Sequence, residues 1–251
     1  MNTPLLALNN LSITALSDEV GRTVLHDVSF DIRRGEILAL VGESGSGKSL
    51  CAQSIMGLLP KPAINISHGN IVFDGERIDN NRSLLHSLRG KRVAMIFQEP
   101  ITALNPVHTI GAQLAEVFQL HAPEMNSDAI YEQSLELLQA VNIDQPAQRL
   151  TSFPHQLSGG QCQRVMIAMA LACKPDLLIA DEPSTALDAN TQRHLLELLQ
   201  TLQQRYGMAV LFITHDLTLV KHWCQRVAVL QQGKLCEIAE TEQLFSSPQH
   251  A

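Results

Sequence analysis

A glycine-rich segment, Gly42–Ser49, has the residue types and spacing of a phosphate-binding loop. It reads Gly-Glu-Ser-Gly-Ser-Gly-Lys-Ser and matches the pattern G-x-x-x-x-G-K-[ST] at every defined position. Glycines let successive backbone N–H groups curl around phosphate oxygens, and the helix that follows points its positive end at the same anion. We therefore expect Lys48 to reach the β- and γ-phosphates of a nucleotide, and Ser49 to hold Mg²⁺. The predicted nucleotide-binding residues are Gly42, Glu43, Ser44, Gly45, Ser46, Gly47, Lys48, Ser49 and Leu50.

Two adjacent carboxylates, Asp181 and Glu182, follow the apolar run Leu177–Ala180. Such a run predicts a buried strand, and ligand sites in open α/β sheets lie at the carboxyl ends of the strands. Asp181 is therefore placed to act on Mg²⁺, and Glu182 is available to orient a water molecule against the γ-phosphate. A solvated acidic turn before Pro183 is the alternative, and the phosphate-binding loop disfavours it.

Apolar patterns place both motifs between strands and helices. Strands are predicted over Glu36–Val41 and Asp176–Ala180, and helices over Lys48–Leu59 and Ser158–Cys173. The other predicted strands are Leu5–Thr14, Val24–Ile32, Gly69–Phe73, Val93–Phe97, Val210–Thr214 and Val227–Leu230, and the last two complete the predicted set of strands. The other predicted helices lie within Ile110–Val141 and over Thr191–Arg205. Strands that alternate with helices indicate an α/β fold with a mostly parallel sheet covered on both faces.

Composition excludes several classes of protein. The 251 residues carry a net charge of -7, which argues against a broad nucleic-acid surface. The longest apolar runs are too short to span a bilayer, and no basic segment precedes an apolar stretch at the N-terminus, so no secretory signal is expected. Five cysteines without ligand spacing predict reduced, scattered thiols and no zinc site.

A five-residue motif separates this chain from other proteins with such loops. Leu157–Gln161 reads Leu-Ser-Gly-Gly-Gln, opens a predicted helix, and resembles the signature of the ATP-binding cassette (ABC) ATPases. Gln98 resembles the Q-loop glutamine of that family, Asp188 closes a sequence similar to its D-loop, and His215 resembles its switch histidine. With the loop and the acidic strand, six elements occur in the order of the family.

This resemblance implies how the residues act. Two such domains would stack head to tail, with ATP and Mg²⁺ between the loop of one domain and the signature of the other. The residues implied to contact the partner's ATP are Ser158, Gly159, Gly160 and Gln161. The implied catalytic residues are Glu182, His215 and Gln98, the implied Mg²⁺ ligands are Ser49, Gln98 and Asp181, and Asp188 would lie across the interface.

The resemblance also implies the organisation of the chain. Residues 1–251 would form one ABC ATPase domain with a P-loop NTPase core. Residues 1–97 and 164–251 would form the nucleotide-binding core, which includes an N-terminal antiparallel β subdomain, and residues 98–163 would form an α-helical subdomain that contains the signature.

A narrower resemblance rests on Met95–Pro106, which is close to a segment of the dipeptide, oligopeptide and nickel importer ATPases; Phe153–Gly160 and Leu244–Pro248 add to it. It implies two membrane-spanning permease subunits, a second ATPase subunit (a homologue or a second copy), and indirectly an extracytoplasmic solute-binding protein. It implies a peripheral location at the cytoplasmic face of the inner membrane and no nucleic-acid partner. Peptides are the expected cargo, and nickel or a metal chelate is the alternative.

Two alternatives come from other classes. An ABC ATPase that acts on DNA or the ribosome would carry a coiled-coil or zinc insert, or two ATPase domains; no heptad insert or cysteine cluster lies between Lys48 and Ser158. A non-hydrolysing regulatory subunit would have a damaged acidic strand or switch position, whereas Glu182 and His215 are in place.

The sequence departs from the family pattern in two places. The family places an aromatic residue near the first strand to stack on adenine, but Ile13–Leu16 has none, so adenine would pack on Leu16 or Val24. The family also commonly continues beyond a Ser-Pro-x-His tail, so a sequence that ends at Ala251 is expected to be a short or trimmed member.

Overall fold

Ten strands form two sheets in the part of the chain that the computed structural model describes, residues 3–17, 20–184 and 188–249. The strands are β1 (Leu6–Ser17), β2 (Val20–Ile32), β3 (Ile37–Val41), β4 (Ile64–Phe73), β5 (Glu76–Arg77), β6 (Val93–Ile96), β7 (Leu177–Asp181), β8 (Ala209–Thr214), β9 (Arg226–Gln231) and β10 (Lys234–Glu240). The helices are α1 (Lys48–Met56), α2 (Arg82–Leu88), α3 (Pro100–Ala103), α4 (Ile110–His121), α5 (Ser127–Ala140), α6 (Pro146–Leu150), α7 (Gly159–Leu171), α8 (Ala189–Tyr206), α9 (Leu217–Val220) and α10 (Thr241–Ser246), and a 3₁₀ helix spans Pro154–Gln156.

The first sheet is antiparallel and has the order β2–β1–β4–β5. Its longest pairing runs along β1 and β2, from Leu6 opposite Ile32 to Ser17 opposite Val20. The predicted N-terminal antiparallel sheet is therefore confirmed, although β1, β2 and β4 are longer than predicted.

The second sheet has the order β10–β9–β3–β8–β7–β6. Strands β6, β7, β8, β3 and β9 are parallel, and β10 runs antiparallel to β9 at the edge. Because β3 pairs with β8 and β8 pairs with β7, the segments that follow these three strands emerge side by side. Every residue of the three strands is buried. The site is built from the segments that follow the carboxyl ends of these strands.

Hydrophobic cores cover both faces of the parallel sheet. Alternate residues of β3 belong to different cores, Ala39 and Val41 to one and Leu38 and Leu40 to the other. The first core includes side chains from α4, α5, α7 and α8, and the second packs α1 against both sheets. This arrangement follows from the period of two residues along a strand, and it confirms the predicted sheet covered on both sides.

Helices α3 to α6 and the 3₁₀ helix fill most of the chain between β6 and the signature. The predicted boundary at residues 163 and 164 falls inside α7, so the division into subdomains stays a prediction. Within the described residues, no helix is long and apolar enough to cross a membrane.

The prediction missed the short elements β5, α2, α3, α6, α9 and the 3₁₀ helix, and also two elements that follow β9. Strand β10 completes the sheet beyond the predicted set, so the prediction that Val227–Leu230 is the last strand was wrong. Helix α10 follows it directly. Both are short, and β10 mixes charged with apolar residues, so neither produces a clear period in the sequence.

Candidate functional site

The glycine-rich loop joins the end of β3 to the start of α1. Gly47 caps α1 with a φ of 106°, in the region that favours glycine. A Cβ atom at Gly42 would collide with the carbonyl oxygen of Leu230, whereas one at Gly45 would meet nothing within 4 Å. The loop is therefore packed tightly at its two ends and open at its tip.

Lys48, the first residue of α1, lies inside the curl of this loop and is only 4% exposed. Its Nζ atom donates hydrogen bonds to the carbonyl oxygens of Gly42 at 2.8 Å and Glu43 at 2.9 Å. Burial lowers the pKa of Lys48, and the charges of Glu182 and Asp181 oppose that effect. The positive charge is thus held at the centre of the loop, where a phosphate would bind.

Asp181 and Ser49 meet at the base of the loop, where Ser49 Oγ lies 3.2 Å from Asp181 Oδ1. Burial raises the pKa of Asp181, the Ser49 hydroxyl opposes this, and the charge of Glu182 adds to it. The Ser49 hydroxyl and the Asp181 carboxylate thus place two oxygen atoms next to the phosphate-binding residues. Such oxygen atoms are suited as ligands of Mg²⁺, which in nucleotide sites binds carboxylates together with phosphate groups. Gln98, the third implied ligand, is exposed and lines the neighbouring cavity.

Glu182 lies between a cation and an imidazole. Its Oε1 atom is 4.0 Å from Nζ of Lys48 and 3.3 Å from Nδ1 of His215. The backbone of Glu182 has a left-handed φ of 46°, and its N–H donates to the carbonyl of Ile213 at 3.0 Å. The structure therefore brings together Lys48, Glu182 and His215, which sequence analysis had derived from three separate segments.

A cavity of about 920 Å³ opens beside these groups. It is lined by Val41, Gly42, Glu43, Ser44, Gln98, Glu182, His215, Leu217, Val229, Glu237, Leu244, Phe245 and Pro248. Sequence analysis missed the apolar wall that α10 contributes to this cavity. The only sequence signal for this wall was the Leu-Phe-Ser-Ser-Pro tail, which had supported only the resemblance to the importer ATPases.

The signature forms the N-terminus of α7. Ser158 is the N-cap, its Oγ accepts from the Gln161 backbone N–H at 3.3 Å, and the Gln161 Oε1 accepts from the Ser158 N–H at 3.0 Å. Cβ atoms at Gly159 and Gly160 would meet nothing within 4 Å, so the backbone here is accessible. No signature residue lines the cavity beside Glu182.

Two other predicted residues have local packing roles. Asp188 caps α8, where its Oδ1 accepts from the N–H groups of Asn190 and Thr191, each at 3.1 Å. The hydrogen bonds from Thr191, above all that of its hydroxyl, lower the pKa of Asp188. The rest of the predicted D-loop, residues 185–187, lies outside the described residues. Leu50 is half-buried in α1 and packs against the core.

A second cavity, of about 780 Å³, lies beside Gly45 at the tip of the loop. Val24 and His26 of β2 line it, whereas the Leu16 side chain is 56% exposed. Sequence analysis considered only Ile13–Leu16 for a base-stacking ring and did not identify the His26 imidazole on β2. The alternation of β2, which turns Val24 and His26 to one face, could have found it.

A glycine loop that encloses a lysine, with a carboxylate pair at the carboxyl end of another strand of the same parallel sheet, defines a P-loop nucleoside triphosphatase. Comparison with known proteins narrows this class. The model of the family described as ABC transporter matches residues 25–185. The chain belongs to this family, which confirms the resemblance inferred from its motifs.

Two relatives illustrate the similarity. The peptidoglycan transport ATP-binding protein YejF of Agrobacterium fabrum is 49% identical over 249 residues, which cover 99% of this chain and 45% of YejF. The chain thus spans about half the length of that relative. The dipeptide transport ATP-binding protein DppD of Bacillus subtilis is 44% identical over 250 residues, which cover 98% of this chain and 73% of DppD.

A solved structure is also similar over almost its whole length. It is the dimeric post-hydrolysis state of the ATP-binding cassette MJ0796, bound to ADP and Pi. The TM-score is 0.83 with 27% sequence identity, and the match covers 94% of this chain and 98% of the other. This similarity confirms the predicted ABC ATPase fold.

Proposed function

We propose that this chain is the ATP-hydrolysing subunit of an ABC importer for peptides. The observation that carries the proposal is the placement of Glu182 between Lys48 and His215, beside the phosphate-binding loop. A carboxylate at this point can polarise a water molecule that attacks the γ-phosphate, while the lysine holds the phosphate chain.

Each group has a separate task in the proposed reaction. Lys48 binds the β- and γ-phosphates, and the N–H groups of the loop donate to their oxygens. Glu182 orients the water in line with the bond that breaks, and His215, 3.3 Å from that carboxylate, fixes its direction. Ser49, Asp181 and Gln98 would hold Mg²⁺. Mg²⁺, when bound, neutralises negative charge on the phosphate oxygens.

A second ATPase subunit is proposed to complete the site. Its signature would present a helix N-terminus and two open glycines to the γ-phosphate, as Ser158, Gly159 and Gly160 do on this chain. Asp188 would then lie at the interface between the subunits. The dimeric state of the similar cassette supports this arrangement.

The membrane partners are proposed to bind between the core and the helices α3 to α7. A groove of about 250 Å³ lies there, and its lining includes Met95, Phe97, Leu104, Val117 and Met166. Phe97 is 45% exposed, so a short helix from a permease subunit would bury an apolar surface. The subunit would thus work peripherally at the cytoplasmic face of the inner membrane, with a solute-binding protein on the opposite side.

Peptides are proposed as the cargo because both relatives carry names of peptide or peptidoglycan transport. The test compares cells that lack this chain with cells complemented by the wild type or by Lys48→Ala. Uptake of labelled di- and oligopeptides should require the wild-type chain, and uptake of labelled nickel should not. Peptide uptake that persists without the chain, or with the Lys48→Ala variant, contradicts the proposal.

A further inference from the structure

A hydrogen bond ties the segment that follows Glu182 to helix α8. Ser184 is buried, with 5% of its surface exposed, and its Oγ accepts a hydrogen bond from Nε2 of Gln192 at 2.9 Å. Gln192 lies in the first turn of α8, where its backbone N–H donates to the carbonyl of Asp188 at 2.9 Å. Both ends of this hydrogen bond are therefore held, one in a buried turn and the other on a helix.

The first turn of α8 is a firm support for the Gln192 side chain. Asp188 caps it through the N–H groups of Asn190 and Thr191, each at 3.1 Å, and through the Thr191 hydroxyl at 2.7 Å. An N-cap of this kind stabilises the backbone of the first helical turn, from which the Gln192 side chain extends. The Gln192 amide can thus act as a fixed point for the segment it contacts.

The backbone of Glu182 needs such support. Its φ of 46° is a left-handed conformation that residues with a Cβ atom adopt only when their surroundings impose it. On the sheet side, the Glu182 N–H donates to the carbonyl of Ile213. On the other side, the hydrogen bond between Ser184 and Gln192 lies two residues downstream.

We propose that Gln192 is a positioning residue for ATP hydrolysis. Its amide holds Ser184, which keeps the Glu182 carboxylate directed at the attacking water. Gln192 itself does not line the cavity beside Glu182, so it acts through Ser184. The inference rests on the role proposed for Glu182. It predicts a defect in the chemical step, because a displaced carboxylate slows the reaction but leaves nucleotide binding intact.

The test uses the full chain and three substitutions. Gln192→Ala should lower kcat about tenfold, with KM and the Kd for Mg-ATP unchanged, because the carboxylate is misplaced. Gln192→Glu should recover most of the rate, since the Ser184 hydroxyl can donate to the new carboxylate. Gln204→Ala is the matched control, an exposed glutamine of the same helix, and should keep the wild-type kcat.

A double-mutant comparison separates positioning from general structure. In the Glu182→Gln background, measured in single turnovers, Gln192→Ala should change the rate by less than about twofold, because its effect passes through the lost carboxylate. Equal losses in both backgrounds would overturn the inference. If Gln192→Ala does not fold, Ser184→Ala removes the same hydrogen bond and replaces it in the comparison.

The two proposals can fail separately. A wild-type chain that does not hydrolyse Mg-ATP even with its partner ATPase subunit present contradicts the proposed function. A wild-type chain that hydrolyses ATP, with a Gln192→Ala variant of equal kcat, overturns the positioning role alone.

Discussion

At the scale of residues, one buried lysine and one carboxylate organise the candidate site. Lys48 lies inside the loop with its ammonium group on the carbonyls of Gly42 and Glu43, and Glu182 faces it at 4.0 Å. Burial of an ammonium group is unfavourable unless oxygen atoms surround it. The phosphate chain of a nucleotide would supply further oxygens, which makes this position suited to binding rather than to packing.

Replacement of the lysine should affect binding more than folding. Lys48→Ala removes a charge-assisted contact to phosphate, worth roughly 2 kcal/mol, so the affinity for Mg-ATP should fall more than tenfold. Isothermal titration of wild type, Lys48→Ala and the exposed control Lys61→Ala would measure it. An unchanged Kd in the first variant, or an equal loss in both variants, would contradict the assignment.

The absent aromatic residue leads to a prediction about the base. Leu16 is exposed, and the cavity beside Gly45 offers a base the aliphatic surface of Val24 and the ring face of His26, which can pack on either purine, so ATP and GTP should bind with affinities within a few-fold of each other. Leu16→Tyr should tighten ATP binding, because a ring that stacks on a base contributes about 1–3 kcal/mol. Competition between labelled ATP and GTP measures both effects. A strong preference of the wild type for ATP would show that another group, with His26 first in position, reads the base.

At the scale of elements, strands that are buried on both faces were predictable from the sequence. Strands β3, β7 and β8 consist almost entirely of apolar residues, and each leads into a motif. The loop, Glu182 and His215 could therefore be assigned to the carboxyl ends of the strands of one parallel sheet. Strand β10 could not be found in this way, because an edge strand with exposed charges has no continuous apolar run.

Contacts between distant segments could not be predicted from sequence patterns. Nothing in the sequence shows that Nδ1 of His215 lies 3.3 Å from the carboxylate of Glu182, or that Gln192 donates to Ser184. These pairs depend on the order of the strands in the sheet and on the turn after β7. Periodicity reports which face of an element is buried, but it does not report what that face meets.

A buried ion pair joins β9 to the start of β3, and its loss should destabilise the sheet. Arg226 Nη1 lies 3.2 Å from Oε1 of Glu36, and both residues are buried. Glu36→Ala leaves the guanidinium without one of its partners, which should lower the free energy of unfolding by about 3 kcal/mol. The control, Glu240→Ala, breaks an exposed pair with Arg33 and should cost less than about 1 kcal/mol. Urea denaturation measures both, and equal losses would refute this explanation.

At the scale of the whole molecule, the proposed reaction needs two subunits. The signature of this chain lies outside its own cavity beside Glu182, and its glycines are open to an approaching partner. A γ-phosphate held by Lys48 would therefore be enclosed by the signature of another ATPase subunit. Hydrolysis at that interface would open it, and the permease subunits bound in the groove near Phe97 would receive the motion.

Turnover by a Glu182→Gln variant tests the central claim most directly. The substitution keeps the shape of the side chain and removes its basicity. Mg-ATP should still bind, because Lys48, Ser49 and Asp181 are unchanged, while kcat should fall about 100-fold or more.

Without hydrolysis the subunits should remain together, so size-exclusion chromatography with Mg-ATP should show a dimer, with the partner ATPase included where the pair is a heterodimer. Ser158→Arg in the same background should abolish that dimer and leave ATP binding to the single chain intact. Hydrolysis by Glu182→Gln at the wild-type rate would contradict the account and transfer the role of the base to another residue, with His215 the first candidate.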